Sequence, residues 1–498
     1  MKAFGAYQDF AAKRRKLKIP VKLRHSWLPV IFMMVCIYRN QNVTALTLLE
    51  VLAGLAIAFL SMLPLFLWAA QREREPPAFQ CFSAIHFPYF AYPILNTRPE
   101  YMSYSETTRL IADATVVLYL ALAIGAYYYR RPNAAKVRTM LFIPYRVIPE
   151  RTIKQLGFVL LVIWFLFTVG YRFGFIDSLG SLRGVTNVVV VVGNAAGMIS
   201  SWLLFRQLGE GRLSTGEKLF LGVFVGMTLT VSFAATTLVY GMCNLVICLV
   251  AYTQGRSKVP WIVIAAGITF LAFMNLGKAD VRKTYGPGST LSVSRIFDIY
   301  ELWIDCSMRM IYEPERRIRD QRDVLSRANL IHIHTRAVDV TPSVKPFLYG
   351  ETYAHLPQLL VPRLIWKDKP HVHISTERLG LYYGLTNAAS IKTTTVGIGP
   401  ITEAWANLGW LGVILAGIGM GAAMRTVATA CLGAAPSSLH SIGSVIWVGM
   451  SFQIEQPFSG WCAAFATSLV GMWVCLYPLS RPARMPEPTM QHAMPAPA

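Results

Sequence analysis

Charge is scarce in this sequence. Asp, Glu, Lys and Arg make up 15% of 498 residues, against 54% apolar residues, and the mean hydropathy is +0.43. Too few polar residues are available to cover the two to four soluble domains, roughly, that this length implies. That excludes a disordered chain and an ordinary water-soluble enzyme. Acidic residues are scarcer than basic ones, 26 against 47, which leaves a net charge of +21. In a soluble protein such an excess points to nucleic acid. In an apolar chain it reads as the Lys and Arg that fix membrane orientation, so no nucleic-acid partner is expected. The eight cysteines are scattered without a CxxC, which gives neither a disulfide framework nor a zinc site. Walker A, Asp-x-Asp and G-x-S-x-G patterns are all missing. Direct ATP drive, the usual metal–diphosphate ligand pair and a serine nucleophile elbow have no sequence basis.

Long apolar runs are what the sequence does hold. A helix needs about 20 apolar residues to cross the hydrocarbon core. Clear runs cover 46–68, 110–128, 156–171, 185–205, 219–233, 235–252, 259–276, 408–428, 442–452 and 462–479. Two weaker runs, 27–38 and 79–95, are short, and the second carries Pro88 and Pro93. The expectation is an all-α polytopic membrane protein of about 10–12 transmembrane helices with one long periplasmic loop.

Basic residues orient these runs. The arm 1–25 carries Arg14, Arg15 and Lys16 and no cleavable signal pattern, which assigns it to the cytoplasm. Arg130, Arg131, Arg206, Arg212 and Arg256 then fall inside, and Arg481 and Arg484 bring the C-terminus inside. The chain divides into a basic cytoplasmic arm (1–25), an N-terminal transmembrane bundle (26–276), a large periplasmic loop (277–407), C-terminal transmembrane helices (408–480) and a proline-rich, disordered cytoplasmic tail (481–498). Residues 277–407 hold 13 of the 26 acidic residues and five of the nine histidines. So long a loop in a compact protein is usually functional.

Within the loop, 294–327 reads as a helix with an apolar stripe through Ile296, Ile299, Trp303 and Met310, and its charged stretch 313–322 as a solvated face. Basic and aromatic residues then interleave: Arg363, Trp366, Lys367 and Lys369. Aromatic faces stack on sugar rings and Arg forks bind phosphate, which suits a phosphate-linked glycan; an interfacial belt is the other reading. His332-Ile333-His334 and His371-Val372-His373 would each share a face on a strand and could hold zinc or copper. Ordinary hydrogen bonding or glycan contact is favoured over a metal, and no metal or cofactor is expected. Glu403 stands at the mouth of the next helix in apolar surroundings, where a carboxylate is costly and suits general acid or base work.

The run Tyr349-Gly350-Glu351-Thr352-Tyr353, then Val361-Pro362-Arg363 with Trp366 and Lys369-Pro370, then Glu403 with Asn407-Leu408-Gly409 and Gly412 is similar to the Wzy-type polymerases. These are the O-antigen and exopolysaccharide repeat-unit polymerases, the oligosaccharide repeat unit polymerase family. The resemblance implies a GT-C-like plan in the bacterial inner membrane. It implies a metal-independent glycosyltransferase that uses no nucleotide sugar or ATP. Such an enzyme moves an undecaprenyl-diphosphate-linked oligosaccharide onto a sugar hydroxyl of the next lipid-linked unit, with a chain-length regulator and a flippase as partners.

On that reading the leaving group is a lipid diphosphate, whose departing charge needs cationic donors. Arg327, Arg336 and Arg363 are the candidates, with Lys369 a weaker one. Glu351, Glu403 or a loop histidine would serve as base, and His332 and His334 as substrate contacts. Trp366 and Tyr353 would hold sugar rings, and Arg183, with Asp177, lies on another outer loop that could line the same cavity. Two alternatives stay open: an O-antigen ligase-like transferase, and a non-catalytic envelope-assembly or transport protein.

Overall fold

The computed structural model describes residues 45–70, 76–129, 137, 144–176, 183–236, 238–256, 260–286, 290–313, 315, 329–361, 366, 369–392, 396–431 and 434–483. Every clear apolar run is helical in it. The order begins with α1 (Leu48–Ala70), α2 (Ala78–Ala84), a π-helical turn (Phe87–Ala91), α3 (Tyr92–Leu95), α4 (Pro99–Met102) and α5 (Glu106–Tyr128). After strand β1 (Arg146–Val147) come α6 (Glu150–Arg172), α7 (Arg183–Gly209), α8 (Thr215–Ala234), α9 (Leu238–Arg256) and α10 (Trp261–Tyr285). The loop segment contributes α11 (Val293–Tyr312), α12 (Leu330–Val340), a 3-10 turn (Tyr353–His355), α13 (Leu356–Leu360) and α14 (Ile374–Tyr382). The chain closes with α15 (Pro400–Cys431), α16 (Leu439–Met450), α17 (Phe458–Leu476) and β2 (Arg481–Pro482).

Among the described residues, eight helices are long and apolar enough to cross a membrane: α1, α5, α6, α7, α8, α10, α15 and α17. The chain is compatible with a multi-pass, all-α membrane protein. The weak run 27–38 lies outside the described residues. The other weak run, 79–95, forms the broken stretch from α2 to α3. Pro88 and Pro93 supply no N–H to the helical ladder, and the chain widens into a π turn beside them. Phe79, Phe82, Phe90 and Ile94 in this stretch are buried, packed partly on α1. The run 442–452 becomes α16, which has 12 residues, all of them buried. At about 1.5 Å per residue it covers only about 18 Å, short of the ~30 Å hydrocarbon core.

Helix starts follow side-chain chemistry. Ser105 caps α5 by accepting the Thr108 N–H, and Ser214 with Glu217 forms a capping box at α8. α5 packs closely along α15, where a Cβ on Gly421 would come within 2.2 Å of the Ala123 carbonyl oxygen. Two ends of the bundle differ in character. At one, β1 pairs antiparallel with β2, setting Arg146 opposite Pro482 and Val147 opposite Arg481, and Arg146 sits 4.0 Å over the Tyr477 ring. At the other, the first turns of α1, α5, α15 and α17 gather beneath the segment from 329 to 399. The boundaries expected at 277 and 407 fall inside helices, because α10 runs on to Tyr285 and α15 starts at Pro400.

Candidate functional site

Asn407 and Gly409 organise the loop end. Gly409 interrupts α15 with φ 56° and ψ −134°, a conformation that only glycine adopts readily. The break frees the carbonyls of Ala406 and Asn407, which accept the amides of Leu348 (2.9 Å) and Tyr349 (3.0 Å). Asn407 Oδ1 accepts the Gly350 N–H at 3.0 Å, and its Nδ2 donates to Thr352 Oγ1 at 2.8 Å and to the Glu403 carbonyl at 2.7 Å. The tight turn at 349–350 uses positive φ at both residues. Thus the run 349–353 is laid directly on the first turns of α15.

Glu403 lies beneath this turn and is fully buried. Its Oε2 accepts the Phe458 N–H, the first amide of α17, at 2.5 Å. Negative charge is favoured at a helix N-terminus. Oε1 is buried and makes no well-aligned hydrogen bond among the described residues, with the Thr352 hydroxyl beside the carboxylate. Tyr353 stands beside this carboxylate, its ring edge-on to Phe458 at 6.2 Å. Burial and the neighbouring Glu403 push the Tyr353 phenol up. The turn's other carboxylate, Glu351, is exposed and takes a two-pronged bond from Arg378 of α14, at 2.7 and 3.1 Å. The Arg378 guanidinium holds the Glu351 carboxyl below its ordinary range.

α12 lies against α4, α5 and α15. Its two histidines are on a helix rather than a strand, so they diverge instead of sharing a face. His332 Nδ1 is 3.1 Å from the Glu100 carbonyl, with its ring over Tyr104. His334 is fully buried, its Nε2 2.6 Å from Thr115 Oγ1. The Thr115 hydroxyl already donates to the Ala112 carbonyl, so His334 must be the Nε2–H donor, and Nδ1 keeps a lone pair with no partner among the described residues. Burial pushes this imidazole down to about 3. Arg336, one turn after His332, is half-buried and bonds Asp339 at 3.3 Å.

The remaining expected site residues are dispersed. Lys369 is buried with its ammonium committed to the carbonyls of Leu359 (2.6 Å) and Val361 (2.8 Å), which makes it a strap for that loop. Trp366 is exposed, and Arg183 opens α7. Arg327, Arg363 and Asp177 lie outside the described residues. His371 and His373 sit on the approach to α14, where His371 Nε2 is 3.2 Å from Glu377. Among the described residues no group of three or more His, Cys, Asp or Glu side chains is arranged to hold a metal ion.

A second ionisable cluster at the same end escapes the sequence reading. Arg109 Nε bonds Glu50 at 2.5 Å, with both side chains almost fully buried. Arg109 also donates to the Tyr104 carbonyl at 2.6 Å, tying α1 and α5 to the chain beneath α12. Tyr101 donates to Asp113 Oδ2 at 2.8 Å, while Asp113 Oδ1 is buried without a partner among the described residues. The available signal was their position: Glu50, Arg109 and Asp113 lie in or beside apolar runs, where ionisable side chains are costly. Arg378 carried no such signal, because it meets Glu351 only through the fold. No protein-family model, curated protein or solved structure matches the chain.

Proposed function

We propose that this protein is a Wzy-type polymerase, a glycosyltransferase that joins undecaprenyl-diphosphate-linked oligosaccharide repeat units into O-antigen or exopolysaccharide at the periplasmic face of a bacterial inner membrane. One observation carries the reading. Two of the three stretches that bear the resemblance, 349–353 and 403–412, form a single hydrogen-bonded unit around the buried Glu403 carboxylate. In the proposed step the acceptor hydroxyl oxygen bonds to the anomeric carbon. The bond from that carbon to the diphosphate breaks, and its electron pair leaves with the lipid diphosphate. The hydroxyl proton passes to Glu403 Oε1. Arg327, Arg336 and Arg363 are the proposed donors to the departing phosphate charge, with Tyr353 and Trp366 against the sugars. A chain-length regulator and a flippase would be its partners.

The test is a gel of surface and lipid-linked glycans from a deletion strain complemented with wild type or Glu403→Gln. A ladder that collapses to single repeats on deletion, and returns with wild type but not with the membrane-inserted variant, supports polymerisation at Glu403. A ladder that survives deletion overturns it. Long chains stranded on the lipid carrier would mark a ligase-like transferase instead.

A further inference from the structure

α11 has three faces rather than two. At about 100° per residue, Ile299, Trp303, Cys306 and Met310 share one sector, and all four are buried. That sector is fixed by specific bonds. Trp303 Nε1 donates to the Met274 carbonyl, Ser307 Oγ accepts the Gly277 N–H at 3.1 Å, and the Tyr300 hydroxyl donates to the Thr230 carbonyl at 2.8 Å. A second sector carries Asp298, Glu301, Asp305 and Arg309, with Arg309 paired to Asp305 at 2.6 Å. The third is apolar and uncovered: Val293 67%, Phe297 72%, Ile304 51% and Ile311 47% exposed. The three sectors lie roughly 120° apart on the wheel.

We infer that α11 lies in the membrane–water boundary, with its uncovered apolar sector in the acyl chains of the outer leaflet. The occupant is a lipid surface, for two reasons. Among the spans of the described residues α10, on which α11 packs, is the least covered by protein: 11% of its apolar window is buried, and Ile262, Val263, Ile268 and Phe270 are exposed. α11 is seated against the second half of that span, through Trp303 on Met274 and Ser307 on Gly277. A charged sector also runs beside the apolar one along the helix and needs water. A helix with protein, lipid and water on three sides belongs at the boundary, where such faces sink about 5–10 Å into the headgroup region. The first part of the segment 277–407 is therefore membrane-associated rather than freely aqueous, and it bears on the α8–α10 side of the bundle.

The test uses full-length protein in vesicles of phosphatidylethanolamine and phosphatidylglycerol. The photo-crosslinking residue p-benzoylphenylalanine is introduced singly at Phe297, Ile304, Asp298 or Glu301, with Ile268 of α10 as the reference. Lipid adducts, read as a mass shift, are expected at 297, 304 and 268 and lost at 298 and 301. Ile311 reads the same apolar sector if a reporter at 297 or 304 fails to insert. Lipid adducts at 268 but not at 297, 304 or 311 would overturn the boundary position while leaving α10 as a span. Chain-to-chain adducts from the apolar sector would overturn it in favour of a second copy.

Discussion

Asn407 holds Gly350 by accepting its N–H at 3.0 Å, and Gly409, two residues on, is what makes the neighbouring backbone available to the same turn. An unbroken helix would spend the Ala406 and Asn407 carbonyls on amides one turn later. With the ladder interrupted, those carbonyls take the amides of Leu348 and Tyr349 instead. The loop is thereby fixed by main-chain bonds over Glu403 rather than by side-chain packing alone.

Gly409→Ala should therefore undo the site from a distance. The positive φ is strained for any L side chain, and the added Cβ would come within 2.8 Å of the Phe347 ring. A cost of about 1–3 kcal/mol follows from such a backbone conformation. Thermal unfolding in detergent should show a lower Tm than wild type, with weakened chain growth in cells. An unchanged Tm would mean that the kink is dispensable.

Glu403→Gln separates chemistry from structure. The amide oxygen can still accept the Phe458 N–H, so the fold is retained, whereas no proton can be taken up from an acceptor hydroxyl. Loss of a general base costs about 10²–10⁴ in rate. Transfer between lipid-linked units by the purified variant should fall by that range at an unchanged Tm. Near-wild-type transfer would remove Glu403 from the proposed step.

Much of the fold was legible because span length is dictated by the bilayer, a solvent that tolerates few alternatives. All ten clear runs are helical, from α1 to α17. The departures have local causes. Pro88 and Pro93 break the run 79–95, and the run 442–452 makes a helix too short to span because Ser438 starts it and Ser451 ends it. The site was legible only in part. Glu403 and the 349–353 turn stand out as a buried charge and a compact motif. Arg378 and Glu351 are 27 positions apart, and only α14 folding under the turn joins them. The HxH spacing puts two histidines on one face only on a strand, and α12 is a helix.

Arg109 and Glu50 form the buried pair most exposed to disruption. Arg109→Met would leave the Glu50 carboxylate enclosed without its cation, which costs about 3–5 kcal/mol in comparable buried pairs. Glu50→Gln combined with Arg109→Met should recover most of that loss, because Gln still offers an oxygen to the Thr47 N–H that Glu50 now accepts at 2.7 Å. Thermal unfolding of both single variants and the double variant gives the coupling directly. Additive losses would show that the two side chains do not stabilise one another.

His334 gives the fold an acid limit. Burial holds its imidazole down at about 3, against an ordinary value near 6.5. Between those limits the unfolded chain binds a proton that the folded chain refuses. The stability contributed by keeping His334 neutral is complete above about pH 6.5. It drains as pH falls toward the folded value, by up to ~1.4 kcal/mol per pH unit. His334→Gln keeps an N–H for Thr115 and carries no titrating group. Plotted as the difference from wild type, its stability should rise steadily as pH is lowered from about 6.5 to about 4. A difference that stays flat over that window would mean that the ring gains a proton without unfolding, through its unpartnered Nδ1. The packing of α12 on Thr115 and Trp405 would then be loose enough to admit water.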